Sequence, residues 1–263
     1  MPRMGLGTFP LNGYNLIKTM MLARLSGYNA FDTSVAYGNE SYVGKGIKLI
    51  GKRKDIFITT KISNRQQREC TVEEAVKSSL KALKTDYIDL YLMHWPNPET
   101  FLDTWTGMEK VYKEGLVRAI GVCNFHQHHI EELMKVATVT PAVNQVEIHP
   151  LLSQKELIKY CKSKGIVMEA YTPLARMDER LFKNDVINRI AKKYNKTVGQ
   201  VVLRWDYQQD IIVIPKTSKY KRLKENIDIF DFSLSDEEMK KIDEINMNLR
   251  LRHDPDNCDF SKL

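Results

Sequence analysis

Four polar side chains stand at or just beyond the ends of short apolar segments, where they could act together on a proton: Asp32, Tyr37, Lys61 and His94. A tyrosine hydroxyl is a weak acid with a pKa of about 10, and a neighbouring lysine cation lowers that pKa because it favours the phenolate. An aspartate can hold the lysine in place, and a histidine can donate a hydrogen bond to a substrate oxygen. These residue types therefore predict a proton donor for a developing alkoxide, which is the chemistry of carbonyl reduction.

Alternating apolar segments must position these side chains. Short runs rich in Ile, Val, Leu and Tyr predict strands, and apolar residues at helical spacing predict helices between them. The predicted strands are Met4–Gly7, Asn29–Asp32, Ile56–Lys61, Ile88–His94, Ala119–Cys123, Val143–Ile148, Val167–Tyr171 and Ile211–Ile214. The predicted helices are Tyr14–Ser26, Ser41–Ile50, Val72–Leu83, Thr104–Glu114, Gln127–Ala137, Gln154–Lys164, Val186–Tyr194, Val198–Gln208 and Lys221–Asn226, with one more from Ser233 to about Ile245. Thr71 with Glu74, and Ser153 with Glu156, have the spacing of a capping box at two helix starts.

This alternation predicts an α/β fold with a parallel sheet and right-handed crossovers. Eight units in 263 residues favour closure into a (β/α)8 barrel, or TIM barrel, as a single domain over residues 1–263. An open doubly wound sheet is the alternative, but Gly5, Gly7 and Gly13 lack the spacing of a dinucleotide-binding fingerprint. A barrel gathers the carboxyl ends of its strands around one mouth. The side chains predicted to meet there are Thr8, Asp32, Lys61, His94, Asn124, Gln145, Glu147, His149, Tyr171 and Lys216.

The composition limits the class of protein. The hydrophobic content of 43% allows a proper core, and no segment has the length of a membrane span or the pattern of a signal peptide. Four cysteines without paired spacing are typical of reduced thiols in a cytoplasmic protein. The net charge of +7 is scattered over the helices with no nucleic-acid motif, so a solvated surface is the simple interpretation and a phosphorylated cofactor the sharper one. We expect no nucleic-acid or membrane partner.

Seven segments in order resemble motifs of the aldo-keto reductase superfamily. They are Gly27–Glu40, Ile58–Lys61, Asp89–Pro96, Gly121–Phe125, Asn144–Pro150, Tyr171–Leu174 and Ile214–Ser218, the last followed by Arg222, Glu225 and Asn226. The resemblance runs from residue 4 to about residue 230, and the short loops after His94 and Leu174 are similar to those of microbial members. It implies a (β/α)8 barrel, usually monomeric, that reduces aldehydes or ketones to alcohols with NADPH.

The same resemblance implies roles for individual residues. Tyr37 would be the general acid, tuned by Lys61 and Asp32, with His94 orienting the carbonyl. Independently of the resemblance, Phe9, Trp95 and Phe125 follow strand ends and could wall an apolar substrate pocket beside Tyr37 and His94, with plain core packing as the equal alternative. The residues implied at the cofactor are Thr8, Asp32, Cys123, Asn124, Gln145, Tyr171, Thr172, Leu174, Lys216, Thr217, Ser218, Arg222, Glu225 and Asn226.

Within that set the resemblance assigns different parts of the cofactor. Asn124 and Gln145 would hold the nicotinamide carboxamide, and Tyr171 would stack on the nicotinamide ring. The adenosine 2′-phosphate would lie on Lys216, Thr217 and Arg222, with Glu225 and Asn226 at the adenine.

Some features depart from the family pattern. Cys123 replaces a serine, so a weak thiol donor takes the place of a hydroxyl. Most of the N-terminal hairpin that closes the barrel bottom is expected either to be missing or to precede the first residue given. The segment from Ile62 to Cys70 is unusually polar, and Arg250–Leu263 is expected to form an irregular tail.

Three alternatives remain open at this stage. The first is a sensor or regulatory protein with the same fold and cofactor site but negligible turnover. The second is a barrel enzyme acting on phosphate esters, with Lys216 at the substrate phosphate. The third concerns His126, His128 and His129 beside Glu131 and Glu132, where a metal site is possible but a solvated helix start is favoured, so we expect no metal.

Overall fold

Eight parallel strands form one sheet in neighbouring order β1 to β8 in a computed structural model that describes residues 1–262. The strands are β1 (Leu6–Gly7), β2 (Ala30–Asp32), β3 (Phe57–Ile62), β4 (Leu90–Met93), β5 (Ile120–Cys123), β6 (Val143–Glu147), β7 (Val167–Tyr171) and β8 (Ile212–Val213). A parallel bridge between Met4 and Val213 joins the first and last strands, and the amide of Gly5 donates to the Val213 carbonyl oxygen at 2.9 Å. The predicted (β/α)8 barrel is therefore confirmed.

The helices lie between and after the strands. They are α1 (Gly13–Leu25), α2 (Glu40–Ile50), α3 (Asn64–Glu69), α4 (Val72–Leu83), α5 (Phe101–Lys113), α6 (Gln127–Met134), α7 (Lys155–Ser163), α8 (Glu179–Phe182), α9 (Asp185–Tyr194), α10 (Val198–Gln208), α11 (Tyr220–Ile227) and α12 (Asp236–Asp243). The sequence prediction missed the two short helices α3 and α8. The polar segment after Lys61 forms α3, where Ser63 and Gln66 make a capping box.

Local capping signals were only partly reliable. Thr71 and Glu74 form the predicted capping box at the start of α4. The box predicted for Ser153 and Glu156 is wrong, because the N-cap of α7 is Gln154, one residue after Ser153, and this left-handed residue (φ 52°) forms no side-chain cap.

The barrel separates two apolar layers. Most buried apolar side chains pack between the sheet and the surrounding helices. A smaller cluster of Leu90, Leu92, Cys123 and Val143 packs separately. Along β4, Leu90 and Leu92 belong to the small cluster while the alternating Tyr91 and Met93 belong to the large one, as expected for a strand with two covered faces.

The two ends of the barrel differ. At the amino ends of the strands, a cavity of about 620 Å³ is lined by Met1, Pro2 and residues that open several strands. Within residues 1–262 no hairpin precedes β1. At the carboxyl ends, the tail after α12 folds back over the mouth, and Glu147 accepts hydrogen bonds from the amides of Leu251 at 2.8 Å and Arg252 at 3.0 Å.

Two further features bear on the sequence predictions. The four cysteines are free thiols. None of the helices within residues 1–262 combines the length and the apolar character needed to cross a membrane.

Candidate active site

Lys61 is the centre of the site. It lies near the end of β3 beside β2, and its ammonium Nζ donates to both carboxylate oxygens of Asp32, at 2.7 and 2.8 Å, and to the carbonyl oxygen of Thr33 at 2.9 Å. The Lys61 side chain is 0% exposed. Burial lowers the lysine pKa, but Asp32 more than offsets this, so the pKa of Lys61 is raised and the side chain stays charged.

Tyr37 presents its hydroxyl to this cation. A 3-10 turn, Val35–Tyr37, follows β2, where Ser34 Oγ accepts from the Ala36 amide and Gly38 ends the turn at a positive φ of 64°. The hydroxyl lies 3.4 Å from Lys61 Nζ. Burial raises the pKa of Tyr37 to about 12 although Lys61 lowers it, so the phenol is protonated at neutral pH. The expected displacement toward neutrality is thus outweighed by desolvation.

His94 follows β4 on the other side of Tyr37. Its ring centroid lies 5.8 Å from that of Tyr37, edge-on at 77°. Burial and the charge of Lys61 lower the pKa of His94 to about 3, so the imidazole is neutral. Nδ1 lies 3.3 Å from Ser34 Oγ, whose oxygen already accepts from a backbone amide. The Ser34 hydroxyl can therefore donate to Nδ1, which places the imidazole proton on Nε2.

Two amide side chains extend the network below the mouth. Gln145 on β6 donates through Nε2 to Asp32 at 2.8 Å and to Glu169 on β7 at 2.9 Å, so its amide orientation is fixed. Asn124 donates to the His94 carbonyl oxygen at 3.0 Å and accepts from the Tyr171 hydroxyl at 2.7 Å. These hydrogen bonds tie the predicted carboxamide-binding pair, Asn124 and Gln145, to His94 and Asp32.

Sequence reasoning missed Glu169. This carboxyl is buried beneath the site, and burial, together with the charge of Asp32, raises its pKa to about 8. Cys123, in the position of the family serine, has its Sγ 3.7 Å from Gln145 Oε1 and 3.2 Å from Asn124 Nδ2. The thiol therefore lies within the amide network, and burial raises its pKa.

The predicted phosphate-binding residues lie together past β8. Lys216 and Ser218 are exposed, Thr217 is buried, and α11 carries Arg222, Glu225 and Asn226. Neither Lys216 nor Arg222 forms an ion pair within residues 1–262. Two unpaired cations near a helix start fit the phosphate of the implied dinucleotide. Glu225 accepts from the Thr197 hydroxyl at 2.8 Å, so its predicted adenine contact would share that carboxylate.

The remaining predicted cofactor residues lie around the same mouth. Thr8 is buried, its Oγ1 accepts from Asn39 Nδ2 at 3.2 Å, and its amide donates to the Asp32 carbonyl oxygen at 3.0 Å. Thr172, with a φ of 53°, and the partly buried Leu174 follow β7. Their contacts with a cofactor stay predictions.

The pocket walls combine two predicted residues with two tail residues that the sequence prediction missed. Phe9 is 44% exposed, and its ring centroid lies 5.0 Å from that of Tyr37, while Trp95 is buried beside His94. The tail adds Arg252, whose guanidinium lies 5.5 Å from the Phe9 centroid, and His253, whose ring lies 6.3 Å from Trp95. No spacing in the sequence links the tail to this pocket.

Comparisons with known proteins agree with this geometry. The chain matches the Aldo/keto reductase family over residues 3–247. It is 49% identical over 262 residues to the glyoxal reductase of Bacillus subtilis strain 168, covering 99% of this chain and 94% of that protein. It is 41% identical over 259 residues to the methylglyoxal reductase DkgA of Escherichia coli O157:H7, covering 97% and 94%. A solved mutant of Gox0644 in complex with NADPH is similar with a TM-score of 0.93 and 35% identity, covering 98% of this chain and 95% of that one.

The family prediction made from the motifs is therefore confirmed. The chain belongs to the aldo/keto reductase family, and it is an oxidoreductase that acts on carbonyl groups.

Proposed function

We propose that this protein reduces small aldehydes and ketones to alcohols with NADPH, and that Tyr37 is the general acid. The observation that carries the proposal is the position of the Lys61 ammonium, bound to both oxygens of Asp32 and 3.4 Å from the Tyr37 hydroxyl. A protonated phenol beside a buried cation can give up its proton to a developing alkoxide, because the cation stabilises the phenolate that remains.

The residues around the mouth would divide the work of binding. NADPH, when bound, supplies the hydride. Lys216, Thr217 and Arg222 would hold its 2′-phosphate, and Asn124 and Gln145 would orient its carboxamide.

The substrate oxygen would be held between Tyr37 and His94. The neutral imidazole can donate from Nε2, since Ser34 occupies Nδ1. The Tyr37 hydroxyl then transfers its proton as negative charge develops on that oxygen. Lys61 holds the phenolate until solvent returns the proton, and Asp32 keeps Lys61 in place.

We propose α-oxoaldehydes such as glyoxal and methylglyoxal as the substrate class. The names of the relatives support this proposal. Tyr37 and His94 are half-buried and lie beside the aromatic rings of Phe9 and Trp95, so this pocket would accept a small carbonyl compound.

The replacement Tyr37→Phe tests the acid. We expect kcat for methylglyoxal to fall by about 10²–10⁴-fold, the usual contribution of a positioned proton donor. NADPH affinity, measured by quenching of protein fluorescence, should stay unchanged, which serves as the control for folding. A variant as fast as the unmodified enzyme would show that another group protonates the product.

The cofactor assignment has its own test. We expect tighter binding of NADPH than of NADH, and Arg222→Ala should remove most of that preference because the 2′-phosphate loses a bidentate partner. Binding of NADPH without turnover of any reactive aldehyde would favour the sensor alternative. Absence of binding of either nucleotide would favour the phosphate-ester alternative.

We also propose that the protein is a cytoplasmic monomer with one domain. Light scattering during size-exclusion chromatography tests the oligomeric state, and a single unfolding transition in urea tests the one-domain prediction. Fractionation of the source cells tests the location.

A further inference from the structure

Three histidine rings converge on one carboxylate at the start of α6. Nδ1 of His126 lies 2.8 Å from Asp256 Oδ2, while Nε2 of His128 and Nε2 of His129 lie 3.0 and 3.4 Å from Asp256 Oδ1. One donor atom from each of the four residues lies within 4.8 Å of the others. We call these four residues the His₃Asp cluster.

The carboxylate of this cluster is not one that the sequence suggested. Glu131 accepts from Gln127 at 2.9 Å, and Glu132 pairs with Lys135, so neither carboxylate belongs to the cluster. Asp256 comes from the tail, 130 positions after His126. A turn holds it in place, since its amide donates to Asp254 Oδ1 at 3.0 Å.

Three imidazole rings crowd around a single carboxylate in this cluster. The ring centroids of His128 and His129 are only 4.0 Å apart, and those of His126 and His129 are 5.8 Å apart. A hydrogen-bonding carboxylate does not require this crowding, whereas a metal ion gathers several imidazole nitrogens around one point, and each ligates in its neutral form.

The donor set matches one class of ion. Three imidazole nitrogens and one carboxylate oxygen suit Zn²⁺ in a four-coordinate site, whereas Mg²⁺ and Ca²⁺ prefer oxygen ligands throughout. A zinc–nitrogen distance of about 2.0–2.1 Å places tetrahedral ligands about 3.3 Å apart. To admit the ion, the oxygen–nitrogen distances of 2.8 and 3.0 Å would lengthen slightly, and the widest separations, which stay within 4.8 Å, would contract.

We propose that His126, His128, His129 and Asp256 form a Zn²⁺ site that fastens the C-terminal tail to α6. Three ligands come from the first turn of one helix and its cap, and the fourth comes from the tail. The ion would therefore bridge two parts of the chain that are otherwise far apart in sequence.

Two of the rings accept hydrogen bonds on the nitrogen that points away from Asp256, and these bonds influence the affinity of the site for zinc. Nε2 of His126 accepts from Arg250 Nη2 at 3.2 Å, and Nδ1 of His129 accepts from the His126 amide at 3.1 Å. A neutral imidazole has one proton, so both rings carry it on the nitrogen that faces Asp256. To ligate the ion, each ring must carry its proton on the other nitrogen, the one that now accepts a hydrogen bond. That N–H would then face the Arg250 guanidinium in the case of His126, and the His126 amide in the case of His129, so two donors would meet in each contact.

Because ligation needs this tautomer, the affinity for zinc depends on Arg250, which is not a ligand. Arg250 opposes zinc binding, because its guanidinium favours the unsuitable tautomer of His126 and adds a positive charge beside the ion. Removing the Arg250 donor should tighten the site, although Arg250 is not a ligand.

Zinc binding would also act on the pocket. Between Arg250 and Asp256, the tail carries Arg252 over Phe9 and His253 against Trp95. A fixed Asp256 would hold this wall in place, so zinc should change KM more than kcat. This consequence rests on the proposed reductase function, whereas zinc binding itself does not.

The experiment is a titration of the full chain, without a histidine tag, with Zn²⁺ against a chromophoric chelator and with Co²⁺ by visible absorption. We expect one equivalent of Zn²⁺ per chain and the intense visible bands of tetrahedral Co²⁺. Asp256→Asn and His128→Ala should each weaken Zn²⁺ binding by at least about tenfold. Arg250→Met should strengthen it several-fold.

Two controls separate this site from adventitious binding. Cys258→Ser tests the nearby free thiol, and Glu132→Gln tests a surface carboxylate outside the cluster; neither should alter zinc affinity. No stoichiometric binding, or binding that Asp256→Asn leaves unchanged, would overturn the proposal. Weaker binding by Arg250→Met would overturn the tautomer argument. Because the Co²⁺ spectrum needs no turnover, failure of the zinc site and failure of the reductase assignment are distinguishable.

Discussion

Opposite ends of the barrel each bring together a carboxylate, a cation and a tyrosine. At the mouth these are Asp32, Lys61 and Tyr37. At the amino ends of the strands, Asp89 pairs with Arg53 at 2.7 Å and with Arg118 at 3.3 Å, and both guanidiniums lie over the Tyr87 ring, 3.9 and 3.8 Å from its centroid. The residue types are alike, so the difference between the two groups lies in geometry and burial.

The atom of the tyrosine that faces the cation differs between the two ends. The hydroxyl of Tyr37 lies near Lys61 Nζ, so the charge acts directly on the phenolic proton. The ring face of Tyr87 meets the guanidiniums, while its hydroxyl bonds weakly to the Arg53 carbonyl oxygen at 3.5 Å. The first geometry can move a proton, and the second can only stabilise the fold.

Solvent exposure adds to this difference. The Lys61 side chain is 0% exposed, whereas those of Arg53 and Arg118 are 19% and 58% exposed. Water screens the lower group more strongly, so its ion pairs contribute less free energy per contact.

The largest expected effect is that of Lys61→Met. The variant loses the cation that stabilises the Tyr37 phenolate, and kcat should fall by about 10²–10⁴-fold. It also leaves the buried Asp32 carboxylate with the Gln145 amide but without its cation, which should lower the free energy of unfolding by about 3–5 kcal/mol. Steady-state kinetics and urea unfolding measure the two quantities.

Arg53→Met is the matched control at the other end. It should lower stability while kcat per folded molecule stays unchanged, because no reacting atom lies near Arg53. A Lys61→Met variant that keeps full activity, or an Arg53→Met variant that loses it, would break the distinction between the two ends.

Glu169 sharpens the comparison because it is a buried carboxyl with no cation within hydrogen-bond distance among the described residues. Its pKa is raised to about 8 by burial and by Asp32, so between its ordinary value and pH 8 the folded protein retains a proton that the unfolded chain releases. Stability then falls as pH rises through this window and is unaffected below it.

Glu169→Gln removes this pH dependence. We expect the variant to be more stable than the unmodified protein at pH 8 by on the order of 3 kcal/mol, with the difference vanishing near pH 4. Urea unfolding at the two pH values measures it. Equal stability at pH 8 would indicate that Glu169 is ionised in the folded protein.

The meeting of three of the four groups at the mouth could be predicted from sequence because barrel topology determines it. Asp32, Lys61 and His94 lie at the ends of three neighbouring strands, and those ends are adjacent whatever path the loops take. The parallel order of the strands, and therefore the barrel, followed from the alternation of apolar segments for the same reason.

Contacts that depend on the course of loops were not predictable. Ser34 reaches His94 because of a single 3-10 turn, and Asp256 reaches His126 across 130 positions through an irregular tail. Neither contact leaves a period or a spacing in the sequence. Glu169 was missed for a different reason. In the sequence it is one acidic residue within an apolar strand, which is usually a solvent-exposed position. Only the structure shows that it is buried and bonded to Gln145.

Asp89→Asn should have an intermediate effect confined to stability. The carboxylate holds both arginines and accepts from the Ile58 amide at 3.0 Å, so it links the start of β4 to β3. Loss of its charge weakens hydrogen bonds worth about 2 kcal/mol. Thermal unfolding should show this loss, and kcat per folded molecule should be unchanged. A large fall in kcat would mean that the lower end of the barrel is coupled to the chemistry.

The smallest expected effect is that of Tyr87→Phe, the counterpart of Tyr37→Phe at the mouth. The ring that lies under the two guanidiniums is retained, and only a hydroxyl with a 3.5 Å contact is lost. We expect a change of about 1 kcal/mol or less in the free energy of unfolding and none in kcat. Urea unfolding and methylglyoxal kinetics, run beside Tyr37→Phe, measure both. If Tyr87→Phe lowered kcat as far as Tyr37→Phe does, the orientation of the hydroxyl would not be what separates the two groups. Unequal effects of the same single-atom change would show that placing a hydroxyl against a buried cation makes a tyrosine an acid.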